Sequence, residues 1–148
     1  MNTITESLPR TATSRAASPT DTRTRAREAY RILQLGFVVA PIVAGLDKFF
    51  HVLTDWDKYL PEGVNGLLGG HGHEFMLVAG VIEIAAGVGV ALRPRFFAYV
   101  VSAWLLAIVG SLLLVPGMLD IALRDFGLAL GALALARLSA AQSPTATR

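Results

Sequence analysis

The chain has 148 residues, of which 53% are hydrophobic and only 16% charged, with a mean hydropathy of +0.54 and eleven acids against thirteen Lys plus Arg. A water-soluble domain carries about 25% charged residues, so an ordinary globular enzyme is excluded. The net charge of +2 and the pI near 9.4 do not indicate a nucleic-acid partner, because the basic residues sit in tails and short loops and form no patch. Cysteine is absent, which removes disulfides, thiolate nucleophiles and Cys-based metal or iron–sulfur sites from this chain.

Residues 1–28 hold most of the Ser and Thr with two Pro, five Arg and almost no large apolar side chain, and are expected to form a disordered tail. Their Arg- and Ser-rich character is shared with organellar transit peptides, but a clear apolar face and a small-residue cleavage site after an apolar run are missing. A membrane domain is expected over residues 29–139, followed by a short tail at 140–148. Four apolar blocks build that domain, at about 30–50, 75–92, 96–115 and 121–138. Each approaches the ~20 residues that cross ~30 Å of hydrocarbon as a helix. The expected fold is therefore all-α, a polytopic four-transmembrane-helix bundle. Pro41 lies inside the first block, where membrane helices tolerate it.

Cations set the expected orientation. Arg10, Arg15, Arg23, Arg25, Arg27, Arg31, Arg93, Arg95, Arg137 and Arg148 fall on one side, and only Lys48, Lys58 and Arg124 on the other. The positive-inside rule places both termini in the cytoplasm and the 51–74 loop outside. Within the spans, small residues at every fourth position predict close helix packing: Gly36, Ala40 and Ala44; Ala79, Gly87 and Ala91; Ala103, Ala107 and Ser111; Gly127 and Gly131.

Glu83 completes the ladder of the second span and so is expected to face other helices, eight residues inside Phe75 and about 12 Å below the boundary. An unpaired carboxylate there costs several kcal/mol. Lys48, Arg124 and Asp125 are the charged candidates to meet it. Helical side chains lean toward the N-terminus of their helix, so Glu83 leans outward and Lys48 inward, and the two approach from opposite depths. Arg124, on the face of Gly127 and Gly131, is also expected to point into the bundle. The cluster Asp47, Lys48, Glu83, Arg124 and Asp125 reads either as an ion network fixing helix register or as a proton or quinone-headgroup site.

In the outer loop, Val52, Leu53, Trp56, Tyr59 and Leu60 share one helical face, which predicts a short interfacial helix over 51–60 with Trp56 and Tyr59 at headgroup depth. Pro61 and Gly63 end it, and the four glycines of 66–72 predict a flexible turn. His71 and His73, with Glu74 and with His51 near in space, are weak candidate metal ligands; a solvated loop without metal is the expectation.

Three segments then fall in a fixed order: Gly45-x-Asp47-Lys48 closing the first span, Glu83 followed by small residues and a basic loop ending at Arg95, and Arg124-Asp125-x-Gly127 opening the last. In that order and spacing the chain resembles the DoxX-like family of small four-helix membrane proteins, over roughly residues 30–138. The resemblance implies a bacterial inner-membrane protein and carries Asp47, Lys48, Glu83 and Arg124 as candidate functional positions. Its namesakes look like membrane subunits of thiosulfate:quinone oxidoreductase. The expected function is accordingly a non-catalytic or quinone-facing subunit of a membrane redox complex, with no cofactor held by this chain alone and a quinone as the candidate ligand. The expected partners are the lipid bilayer, membrane or periplasmic proteins and a second copy of the chain. A small ion or solute transporter or channel, and a structural assembly protein, are the alternatives.

Overall fold

A computed structural model describes residues 19–142. Among them the order is α1 (Pro19–Phe50), a 3-10 turn (Asp57–Tyr59), α2 (Glu62–Leu67), α3 (Gly72–Leu92), α4 (Pro94–Leu112) and α5 (Leu119–Gln142), with no strand. The described residues are all-helical, as expected. Residues 1–18 and 143–148, with most of the expected tails, lie outside the described residues.

α1 starts nine residues before the expected end of the tail at residue 28. Asp21 pairs with Arg25 at 3.1 Å one turn on, and Ala26, Arg27, Glu28 and Ala29 are compatible with helix, so the helix of the apolar segment that follows propagates backward through this polar stretch. The helix continues through Pro41, whose missing N–H leaves the Phe37 carbonyl without its usual donor. At the other end, Arg93 alone separates α3 from α4, and Pro94 occupies the first turn of α4, where its lacking N–H breaks no helical bond.

α1 lies along α3 and α4 along α5, while α3 with α4 and α1 with α5 touch less extensively and close the four long helices into a ring. Phe37, Ala86, Val90, Ala98, Val101, Leu135 and Ala136 form the apolar core together with Ala132. These residues lie in the half of the bundle nearer the α3–α4 turn. The half nearer the 51–71 connection holds the polar groups described below.

α1, α3 and α4 are each long and apolar enough to cross a membrane. α5 is as long, but Asp120, Arg124, Asp125 and Arg137 lower its apolarity, so three such helices stand where four were expected. Large apolar side chains cover the outside: Ile32, Leu35, Val81 and Leu123 are each more than half exposed.

On α3 the expected small residues Ala79 and Gly87 are buried, but on the other helices the small residues pack differently from the expected ladders. Gly36 and Ala40 are exposed on α1, Ala103 and Ala107 on α4, and Gly127 on α5. The buried seam of α5 runs through Ala122, Asp125, Ala129, Ala132, Ala136 and Ser139, spaced alternately by three and four residues as in a coiled coil, with Leu135 buried beside it. Ser102 of α4 donates to the Ala129 carbonyl at 2.9 Å across it.

Candidate functional site

α1 and α3 cross in backbone contact. A Cβ at Gly45 would stand 2.5 Å from the Gly80 carbonyl oxygen, and one at Gly80 would stand 2.7 Å from that of Gly45, so the two backbones touch. Farther along, Gly87 faces Val38 and Ile42, which fixes the helices as antiparallel. Lys48 lies three residues beyond Gly45 and Glu83 three beyond Gly80, on opposite sides of the crossing. Each side chain leans back toward its own helix N-terminus and hence toward the other. Lys48 Nζ donates to Glu83 Oε2 at 2.6 Å, with the two side chains only 4% and 12% exposed. Lys48 is thus the partner of Glu83 among the three charged candidates.

Asp47, the preceding residue, turns toward the loop. Its Oδ1 accepts the Val52 and Leu53 N–H at 2.8 and 3.0 Å, and its Oδ2 accepts the indole N–H of Trp56 at 2.8 Å. His51 N–H bonds to the Asp47 carbonyl at 2.7 Å and closes α1. The Trp56 ring in turn covers Lys48, with Nζ 3.8 Å from the ring centroid. Trp56 therefore ties Asp47 and Lys48 into one unit, its edge on the anion and its face on the cation. One chain of contacts runs from Glu83 on α3 through Lys48 and Trp56 to Asp47 and the loop.

These bonds correct the expected interfacial helix over 51–60. Asp47 captures the Val52 and Leu53 N–H groups, so no helix forms there; the helical pieces are the 3-10 turn at 57–59 and α2, in a stretch partly expected to be a flexible turn. Val52 and Leu53 are exposed, while Trp56 and Tyr59 are half-buried, with Trp56 committed to the ion network. Pro61 precedes α2, and Gly69 and Gly70, both at positive φ, end it. Asn65, which the sequence did not mark, accepts the Gly72 N–H at 3.0 Å and fastens this loop to the start of α3.

Arg124 is corrected as well. It is 64% exposed and bonds to the neighbouring buried Asp125 at 3.1 Å. It faces away from the bundle because the seam of α5 runs through Ala122 and Asp125, placing residue 124 to one side.

His71 is paired with Glu74 at 3.5 Å on the surface. His73 turns the other way: its Nδ1 lies 2.9 Å from Asp57 Oδ2, and its ring stacks on that of His51 with centroids 5.8 Å apart and planes at 20°. His51, Asp57 and His73 come from three separate segments, and Asp57 carries no spacing signal that would have singled it out. At the same end, an open cleft of about 680 Å³ lies between the 58–67 segment and the α4–α5 connection at Leu114, Val115 and Pro116; Lys58 and Glu62 are its charged lining residues.

In comparisons with models of known protein families, with curated proteins and with solved structures, none matches this chain.

Proposed function

We propose that the chain is an integral membrane protein of DoxX-like type with four spans, serving as a non-catalytic membrane subunit of a redox complex in a bacterial inner membrane. The observation that carries the non-catalytic role is the closure of the polar network. Lys48 is held by Glu83 at 2.6 Å and covered by Trp56, Asp47 is saturated by loop donors, and Asp125 is held by Arg124. An ion path needs a titratable group free to exchange partners, whereas these side chains act as a clamp between α1, α3 and the loop.

Membrane residence is supported by the three apolar helices and by the exposed apolar side chains around the bundle. α5 serves as a fourth span in this reading because its buried seam packs on α4 and its charges gather near its first turns and at Arg137. Arg93 and Arg95 lie at the end of the bundle shared with the N-terminal part of α1 and with Arg137, which supports cytoplasmic termini. The association with a redox complex and its quinone rests on the order of the three family-like segments.

Purification in mild detergent, followed by mass spectrometry and an optical spectrum, tests the proposal. A redox subunit with haem, flavin or metal absorption should co-purify with the chain and resist a salt wash. Recovery of the chain by itself from native membranes, with no such partner, refutes the subunit reading.

A further inference from the structure

We propose that His51, Asp57 and His73 form a binding site for a divalent transition-metal ion, with Zn²⁺ as the reference occupant. One candidate ligand atom from each residue lies within 4.8 Å of the other two. Around a tetrahedral zinc ion, ligand atoms stand about 3.3 Å apart, a closure that rotation of the exposed His51 and His73 side chains supplies. Two imidazoles and one carboxylate are a donor set that selects zinc-like ions over Mg²⁺ and Ca²⁺, which take all-oxygen sites.

Two further observations point to a cation. Asp57 Oδ2 faces His73, but Asp57 Oδ1 is enclosed by protein and has no hydrogen-bond donor. A buried carboxylate oxygen without a donor is an uncommon arrangement that a bound cation satisfies directly. The nearest basic residue in sequence does not take that role, since Lys58 Nζ is turned toward the Tyr59 ring at 5.0 Å. His51 is the one non-glycine among the described residues at positive φ, 52°, and this backbone turn brings its ring onto that of His73. Asp55 accepts the Asp57 N–H at 3.1 Å and sets the direction of the 3-10 turn that presents the carboxylate.

The three residues stand at the end of α1, in the connecting loop and in the first turn of α3. An ion among them staples those segments at the edge of the bundle, one residue from Trp56, and holds the indole on Lys48. The His73 and Asp57 side chains are about half exposed, which leaves a fourth coordination position open to water.

The test uses tag-free, full-length protein in detergent, stripped with a chelator and titrated calorimetrically with Zn²⁺ and separately with Mg²⁺, with thermal unfolding followed in parallel. One Zn²⁺ per chain is expected, with a rise in unfolding temperature on Zn²⁺ and none on Mg²⁺. His51→Ala, Asp57→Asn and His73→Ala should each weaken Zn²⁺ binding at least about tenfold while His71→Ala leaves it unchanged. Co²⁺ in place of Zn²⁺ should give visible absorption bands that the His73→Ala protein lacks. The proposal is overturned if Zn²⁺ binds the triple variant as tightly as the unaltered protein, if His71→Ala weakens it as much as His73→Ala, or if the unaltered protein binds none. Unfolding of each variant without metal shows that it is folded, so a lost site is distinguished from a lost fold.

Discussion

Lys48 and Glu83 meet at 2.6 Å across the Gly45–Gly80 crossing, each starting three residues past its glycine on antiparallel helices. The pair exists because two backbones in contact bring opposite charges within reach of side chains that lean toward each other. Removing either charge strands the other in a dry setting, at about 3 to 5 kcal/mol, with less lost if water enters from the loop side. Lys48→Met and Glu83→Gln should therefore each lower thermal stability in detergent, and the double variant should recover much of the loss of the worse single. A double-mutant cycle measures the coupling, and simple additivity of the two losses would show that the ions do not interact.

At residue 83 itself, Glu83→Gln should be tolerated better than Glu83→Leu. The amide keeps an acceptor for the Lys48 ammonium, whereas leucine strands that cation beside the helix crossing. Protein yield and unfolding temperature of the two variants compare them directly; equal loss of function at equal stability would instead assign charge chemistry to Glu83.

The glycines give a sharper contrast. Gly45→Ala places a methyl group against the Gly80 carbonyl and Ile84, which must shift, at a cost of roughly 1 to 3 kcal/mol. Gly36→Ala meets nothing within 4 Å and should be neutral or stabilising by up to about 1 kcal/mol through helix propensity. Thermal unfolding of both proteins checks the pair, and equal effects would contradict the crossing.

Trp56 performs two tasks that substitution separates. Trp56→Phe keeps a ring face for Lys48 and loses the N–H that Asp47 accepts, while Trp56→Leu loses both. The second change should cost about 0.5 to 2 kcal/mol more than the first, the range of a shielded cation–π contact. Stability measured in detergent decides, and identical losses would mean that the ring contributes nothing to holding Lys48.

Topology is open to reporters. One active only in the cytoplasm should be active when fused after Arg148 or inserted between Arg93 and Arg95, and silent between Val64 and Gly70. The reverse pattern would overturn the placement of the termini.

The helical class and the positions of the four long helices, to within a few residues at most ends, are legible in the order of the amino acids, as is the opposed lean that makes Lys48 one of three candidate partners for Glu83; the fold selects it. These follow from local quantities: the length of apolar runs, the period of the helix and the direction in which a helical side chain leans. The inward face of α3 followed from its Ala79, Glu83 and Gly87 ladder, but the inward faces of α1, α4 and α5 emerge only from how the helices pack. In helices that are apolar on most sides, hydrophobic contrast does not separate an outward face from a packed one, and small residues occur on both. Gly36, Ala40, Ala103 and Ala107 thus read like contacts and are exposed, while Gly45 and Gly80 make the crossing. Arg124 turned outward for the same reason, since the three-and-four seam through Ala122 and Asp125 leaves it to one side. The loop was least legible. Asp47 pulls the Val52 and Leu53 N–H groups out of any helix, and His51, Asp57 and His73 are gathered by that fold from positions up to 22 residues apart, with no periodicity to announce it.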